Sequence, residues 1–330
     1  MTNNRTSIYP VINKRIVSTI LSSSCVGVIG HENPDGDCIS STLAMKYMLE
    51  YLGKEVFIFN VGPFNKKEIQ KYEPLFLKEV PSEFLKKNPL IIVVDCSTKD
   101  RPGQIFSAFD GLTKIVFDHH SAGESFTDKE MQYIVPESVS TTLVIENLRK
   151  SLNIPLSKEL AEYLYIGFAT DTGFFHFINE KIGGETLRMV SEFVDAGVSP
   201  YIMYDRLHDG ESLEFYKAAA RIMERTKSEY DGKILYSYSN KGDELGSNAS
   251  DLLYSQLLCV KDVKVVFFFK EKEDEVVCGM RSKNLSLIDI GQFAQSLGGG
   301  GHRYAAGATV KGSLDDVIRT VLAKASILLS

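Results

Sequence analysis

Three short apolar runs, 26–29 (VGVI), 90–94 (LIIVV) and 114–117 (KIVF), stand out against an otherwise mixed chain. They are biased toward β-branched residues and show no alternation of apolar and polar positions. That pattern belongs to strands covered on both faces, as in parallel sheets. Apolar residues at helical spacing fill the intervals. Ile12, Ile16, Val17, Ile20 and Leu21 share one face of an entry helix ending near residue 24. A helix over 41–51 carries Leu43, Met45, Met48 and Leu49, stops at Gly53, and leads to a second strand at 56–59. Residues 65–88 are lysine-rich and mixed, helical only in pieces. An extended piece at 132–135 precedes helices at 141–152, with Ser140 as a natural N-cap, and at 157–170. A third helix, 185–196, closes at Gly197.

The second half has a different grain. Strands are expected at 233–238, 263–270 and 275–281, the last two joined by a charged turn over 271–274. A helix over 287–297, a glycine run at 298–301, a strand near 308–310 and a helix from Ser313 complete it. The expected organisation is therefore an α/β domain over 1–197, a helical linker over 198–226 and a smaller α+β domain over 227–330. In the first, helices cover both faces of a parallel sheet. The catalytic cleft is expected between the two domains.

Composition narrows the class. With 330 residues, two domains are the natural expectation, and 44% hydrophobic with 24% charged residues is ordinary for a globular protein. No apolar run approaches the roughly 18 residues of a membrane span. The N-terminus lacks the charged-then-apolar pattern of a signal peptide, so a cytoplasmic protein with no membrane partner is expected. The five cysteines (Cys25, Cys38, Cys96, Cys259, Cys278) form no CxxC pair and read as reduced, mostly buried thiols. Net charge is −6; from Lys227 onward thirteen basic residues balance thirteen acidic ones, so the excess lies in the first 226 residues. An acidic domain without a basic stripe is a poor binder of long duplex nucleic acid.

The residues just past each buried run carry the chemistry. His31, Asp35 and Asp37 stand after the first, Asp95 after the second, and Asp118, His119 and His120 after the third; Asp171 ends a later helix. The stretch Asn33-Pro34-Asp35-Gly36 alone is ordinary turn chemistry. Taken together, strand-end His and Asp groups of one parallel sheet would meet along one edge, where ligands of open α/β sheets gather. So many groups converging without a cation would repel one another and lose hydration. Two divalent ions roughly 3.5–4 Å apart would resolve that and could clamp a phosphoryl displacement. Donors of nitrogen and oxygen only favour Mn²⁺ over structural Zn²⁺.

These motifs resemble the DHH phosphoesterase superfamily, named for the triplet that stands here as Asp118-His119-His120. The GGGGH at 298–302 resembles its DHHA1 companion domain. The likeness spans nearly the whole chain, with the motifs in the right order, and points to the branch of nano-RNases (oligoribonucleases), pAp phosphatases and cyclic di-AMP phosphodiesterases. It implies a Mn²⁺-dependent enzyme in which a two-metal-activated hydroxide cuts pApA, other very short RNA, cyclic di-AMP or pAp, and it suggests a homodimer. It further implies that His31 and Asp35 hold one metal and Asp37, His119 and Asp171 the other, with Asp95 bridging. Asp118 would orient His119, and His120 would face the phosphate or leaving oxygen. Arg281, Ser282, Gly299, Gly300, Gly301 and His302 would bind the nucleotide, with Arg303 a weaker candidate.

The chain departs from the family twice. Ser40-Ser41 stands where Gly-Ser is usual, with serine expected to serve as a cap, and His176 stands between phenylalanines, where packing is expected. Rival readings are a RecJ-like exonuclease on long single strands, which needs a basic track and stacking aromatics, and a non-catalytic nucleotide sensor. A family II pyrophosphatase shares only the first half.

Overall fold

In the computed structural model, which describes residues 7–120, 126–178, 181–209, 211–243, 249–283 and 288–329, the three apolar runs are neighbouring strands of one sheet. β1 (Cys25–Ile29), β2 (Glu55–Phe59), β3 (Leu90–Val94), β4 (Lys114–Asp118) and β5 (Gln132–Ile134) pair in parallel in the order β2-β1-β3-β4-β5. Val28 stands opposite Ile92, and Val93 opposite Val116. Because side chains alternate across a pleated strand, each buried run serves two cores.

On one face, Val26, Val28, Ile92, Val94, Ile115 and Phe117 pack beneath long helices. These are α1 (Lys14–Ser22) and α2 (Gly36–Tyr51), then, beyond the short α3 (Lys67–Gln70) and α4 (Ser82–Lys86), α5 (Thr141–Ser151) and α6 (Lys158–Asp171). On the other face, Ile29, Ile91, Val93 and Val116 meet Phe84 of α4 and Phe106 and Phe109 of a 3₁₀ turn. Each fully buried aliphatic or aromatic side chain contributes about 1.5–3 kcal/mol, which explains why neither face tolerates polar residues. Helices α7 (Gly183–Asp195) and α8 (Pro200–His208) complete a unit ending at Asp209.

The chain runs from β1 to β2 on one side, then crosses back to β3 on the other side of β1. At such a switch point the loops after the two central strands diverge and leave a crevice at their C-terminal ends. His31 and Asp95 stand there.

One boundary differs from expectation. The segment 31–41 is not a loop throughout, since α2 begins at Gly36. Asp35 is its N-cap, accepting from the Cys38 N–H at 3.0 Å, and Asp37 lies in the first turn. Aspartate at an N-cap satisfies orphan helix donors, a stronger start signal than the apolar period that begins later. Ser40 and Ser41 therefore sit inside the helix, buried and capping nothing.

The loop after β2 is tied to the motif. Asn60, buried, donates to the His31 carbonyl at 2.9 Å and accepts from the Gly62 N–H at 2.8 Å, while the Asn33 N–H donates to the Gly62 carbonyl at 3.0 Å.

The second unit, Gly210–Ser330, opens with α9 (Leu213–Glu224) and builds a mixed six-stranded sheet. Its strands are β6 (Lys227–Glu229), β7 (Ile234–Ser239), β8 (Val265–Glu271), β9 (Glu275–Ser282), β10 (Gly300–His302) and β11 (Ala305–Lys311), ordered β10-β11-β9-β8-β7-β6. Helix α9 and α10 (Ala249–Leu257) cover one face, and α11 (Ile290–Gln295) and α12 (Leu314–Ala325) the other. Helix α11 is shorter than expected because Asp289 caps it; residues 284–287 lie outside the described residues. The glycine run is partly strand, pairing antiparallel with β11. A Cβ on Gly299 would stand 2.1 Å from the Gly307 carbonyl oxygen, and one on Gly301 2.5 Å from the Ala306 Cα. Close approach of the two backbones therefore requires glycine at both positions.

Asn60→Ala leaves the His31 carbonyl and the Gly62 amide buried and unpaired. Unfolding in urea is expected to show a loss of about 1–3 kcal/mol, and a loss below about 0.5 kcal/mol would show that water replaces both bonds.

Candidate metal centre

Asp95, at the end of β3, is the hub. It is 2% exposed and holds φ at +60°, a left-handed conformation that aspartate tolerates better than most residues but which still stores strain. Its Oδ2 lies 3.3 Å from His31 Nε2, and its Oδ1 lies 3.7 Å from His119 Nε2. His119 Nε2 is in turn 3.2 Å from Asp171 Oδ2 and 4.0 Å from Asp37 Oδ2, and His31 Nε2 is 3.9 Å from Asp35 Oδ1. Two donors bound to one ion at roughly 2.1 Å stand no more than about 4.2 Å apart, and these separations fall within that limit. All six residues expected as metal ligands are thus drawn into one cluster, in which the Asp37, His119 and Asp171 group and the His31 group both reach Asp95.

The imidazoles are aimed by their other nitrogens. His31 Nδ1 is 2.9 Å from the Glu32 carbonyl and His119 Nδ1 is 3.2 Å from the Ser138 carbonyl. An Nδ1–H donating to each carbonyl leaves the Nε2 lone pair facing the carboxylates, the tautomer a ligand needs.

Electrostatics point the same way. Burial pushes the Asp95 and Asp171 carboxyls well above the usual range, and the charges of Asp37 and Asp35 push them further. Burial also raises Asp37. His119 is raised, because although burial opposes its charge, Asp95 and Asp37 favour it. For Asp35, burial is outweighed by the pull of His31 and Lys66 and by the Cys38 amide, and its carboxyl falls below the usual value. A donor set of nitrogen and oxygen in which three of the four carboxyls resist ionisation fits hard or borderline divalent cations. Cys38 Sγ lies near His31 and Asp95, but burial and the surrounding carboxylates raise it well above the ordinary thiol value, so it is a neutral thiol.

One expected role changes. Asp118 does not orient the His119 ring, which the Ser138 carbonyl holds. Its Oδ1 accepts from His120 Nδ1 at 2.7 Å and from the backbone N–H groups of His119 and His120 at 2.8 and 3.1 Å. Those bonds hold the Asp118 carboxyl below its usual value despite burial. His176, expected to pack, is exposed and stands edge-on to Phe177 with ring centroids 4.9 Å apart.

The N-terminus of α5 escaped notice in the sequence. Asp37 Oδ2 accepts from the Thr141 N–H at 2.6 Å and its Oδ1 from the Thr142 N–H at 3.0 Å, while Thr141 Oγ1 donates to Asp95 Oδ1 at 2.8 Å. A helix N-terminus suits an anion through its free amides and its dipole. Gly167 of α6 makes room for this, since a Cβ there would stand 2.5 Å from Asp37 Oδ1 and 2.3 Å from Thr142 Cγ2. The hydroxyl-rich Ser138-Val139-Ser140-Thr141-Thr142 was the available signal, and only the cap at Ser140 was read from it.

In the second unit, the Arg281 guanidinium lies 4.6 Å from the centre of the Tyr254 ring, with Nη2 3.9 Å from Asp251 Oδ1. Ser282 is buried, and its hydroxyl has no partner among the described residues. The Gly298 and Gly299 N–H groups donate to the Gln295 and Ala294 carbonyls. They close the end of α11 and are not offered to an anion, contrary to the expected cradle at Gly299. The His302 side chain lies outside the described residues.

Residues 25–168 match the DHH family, N-terminal domain, and residues 231–326 match the DHHA1 domain. The chain carries a DHH domain followed by a DHHA1 domain. Over 311 residues, 93% of this chain and 92% of the relative, it is 26% identical to the bifunctional oligoribonuclease and PAP phosphatase NrnA of Thermus thermophilus. It is 24% identical over 319 residues to the cyclic-di-AMP phosphodiesterase PdeA of Listeria monocytogenes, spanning 91% of this chain but 47% of that one. Among solved structures, an exopolyphosphatase-related protein from Bacteroides fragilis superposes with a TM-score of 0.85 at 23% identity, covering 98% and 99% of the two chains.

The titration of the DHH domain's cluster sets the pH dependence of its stability. In the metal-free protein, Asp95, Asp171 and Asp37 take up protons that the unfolded chain releases above about pH 4, and His119 does so above about pH 6.5. Both effects make stability fall as pH rises from about 5 to 8. The melting temperature without metal should drop over that window, and the increment on adding Mn²⁺ should grow, since bound metal displaces those protons. A Mn²⁺ increment independent of pH would contradict the ligand set. Thr141→Val removes the hydroxyl from Asp95 and should weaken Mn²⁺ binding, measured by calorimetry, by about 10–100-fold, with Thr141→Ser near wild type.

Proposed function

We propose that this DHH phosphoesterase hydrolyses phosphoester bonds in very short nucleotides, releasing AMP from pApA, with cyclic di-AMP, pAp and short RNA as the competing substrates. The observation that carries the reading is the sharing of Asp95 between His31 on one side and His119 on the other. The oligoribonuclease, PAP phosphatase and cyclic-di-AMP phosphodiesterase relatives support it. An acidic chain supports short substrates over a long basic track.

In this reading His31 and Asp35 would hold one divalent ion and Asp37, His119 and Asp171 another, with Asp95 within reach of both groups. The donor set favours Mn²⁺. Two such ions supply positive charge to the phosphate and lower the pKa of water.

The chain's own groups do the rest. Asp118 accepts the His120 Nδ1–H, which fixes the ring and leaves Nε2 as the atom that meets substrate. Held in that orientation, His120 is the candidate to pass a proton to the leaving ribose oxygen. Arg281, stacked on Tyr254 and so partly pre-oriented, pairs with a nucleotide phosphate. Ser282, whose hydroxyl has no partner among the described residues, offers it to the same ligand. Gly300, Gly301 and His302 belong to this nucleotide site in the proposal; among the described residues, its two chain neighbours aside, nothing lies within 4 Å of where a Gly300 Cβ would be.

The test is rate measurement with Mn²⁺, against a chelator control, on pApA, cyclic di-AMP, pAp and a short RNA. Metal-dependent AMP release from pApA is expected; a protein that leaves all four untouched overturns the reading. Asp95→Asn should abolish turnover, and a residual rate above about a tenth of wild type would remove Asp95 from the role of shared ligand.

A further inference from the structure

Beside the metal centre, within the DHH domain, a cavity of about 380 Å³ opens against His119 and Asp171. Its volume lies in the range of small-molecule sites, about 300–1,000 Å³. Its other walls include Glu137, Phe177, Lys181 and Ile182. No step of the hydrolysis described above uses any of these four.

Their chemistry is that of a nucleoside site. Phe177 is 54% exposed, so this large ring stands at the cavity instead of in the core. An aromatic face in such a position is a platform on which any base can stack. Glu137 is an acceptor suited to ribose hydroxyls or an exocyclic amine, Lys181 is a cation, and Ile182 adds apolar surface.

The backbone holds this wall in register with the metal ligands. Directly after Asp171, Gly173, Phe174 and Phe175 adopt φ of +53°, +51° and +74°, values that side-chain-bearing residues seldom take. The turn is pinned from within. Thr172 Oγ1 donates to the Phe168 carbonyl at 2.7 Å and accepts from the Phe175 N–H at 3.2 Å. The Phe177 N–H donates to the Thr172 carbonyl at 3.0 Å. Phe175 stands edge-on to buried Phe168, with centroids 5.1 Å apart. Phe177 is thereby placed six residues beyond Asp171 by a strained turn, not by a free loop.

We propose that this cavity is a subsite for the second nucleoside of a dinucleotide, the one joined through the scissile phosphate, with its base stacked on Phe177 and its ribose facing Glu137. The inference rests on the phosphoester reading and adds to it a place where substrate length is sensed. A substrate whose cleaved phosphate is terminal, as in pAp, leaves the subsite empty; one whose cleaved phosphate joins two nucleosides fills it. Stacking reads a π-face and not a hydrogen-bonding pattern, so pApA and pApC should be used about equally.

The test compares wild type with Phe177→Ala and Phe177→Tyr on pApA and pAp. Phe177→Ala should raise KM for pApA about tenfold and leave pAp within about twofold, and Phe177→Tyr should restore pApA. Equal effects on both substrates, or none on either, overturn the subsite. Binding of 2-aminopurine riboside 5′-monophosphate, followed by its fluorescence, makes the result independent of turnover. Wild type should quench the probe by stacking, and Phe177→Ala should weaken that binding about tenfold; unchanged binding overturns the subsite. Inactivity of wild type on both substrates with intact Phe177-dependent probe binding would instead sink the phosphoester reading and leave the subsite standing.

Discussion

The structure turns on a cluster of carboxyl groups that cannot all carry charge in the place where the fold buries them. Asp35, Asp37, Asp95 and Asp171 converge with His31 and His119 where β1 and β3 end. Unscreened charges at such separations and burial cost several kcal/mol each, more than any single packing contact in the domain returns. The order β2-β1-β3-β4-β5 puts these strand ends side by side, and both faces of the sheet are apolar, so the charged groups have nowhere to go but the edge. Fold and metal demand are thus one constraint: the apolar strands that stabilise the sheet are what force the acidic ends together.

That constraint explains what could be read from sequence. LIIVV announces a strand buried on both faces, and the polar groups beyond such strands must lie at one edge of a parallel sheet. The strand-end candidates His31, Asp35, Asp37, Asp95 and His119 were therefore legible without coordinates, as were Arg281 on a strand and the pairing of two domains of different grain. The choice of six ligands came instead from the resemblance to the DHH family. Contacts made by backbone groups were not. In residues 31–41 the apolar period starts too late to mark a helix from Gly36, because its start is decided by the Asp35 side chain accepting from the Cys38 amide. The grip of α5 on Asp37 is a matter of where a helix begins in space, across about a hundred residues of chain.

The same distinction separates the two readings of the glycine run. Glycine density was legible, and so was its incompatibility with helix. Its use was not: Gly299 and Gly301 are glycines because β10 and β11 approach too closely for a side chain, and the Gly299 amide is consumed in closing α11. Glycine permits close backbone approach, but the sequence does not say whether what approaches is a ligand or another strand.

The carboxylates of the centre can be ordered by how well the protein itself answers their charge. Asp118 has two backbone amides and His120, and its carboxyl lies below the usual range. Asp35 has an amide, His31 and the distant Lys66, and also lies below. Asp37 has two amides of α5 but is fully buried, and is raised. Asp95 has one hydroxyl and the histidines, and Asp171 has His119 at 3.2 Å; burial and the charges of Asp37 and Asp35 raise both well above the usual range. The unanswered charge is therefore concentrated on the Asp95, His119 and Asp171 side of the cluster, the side on which the cavity lined by Phe177 opens. A divalent cation there would answer the electrostatic demand that the fold leaves unmet.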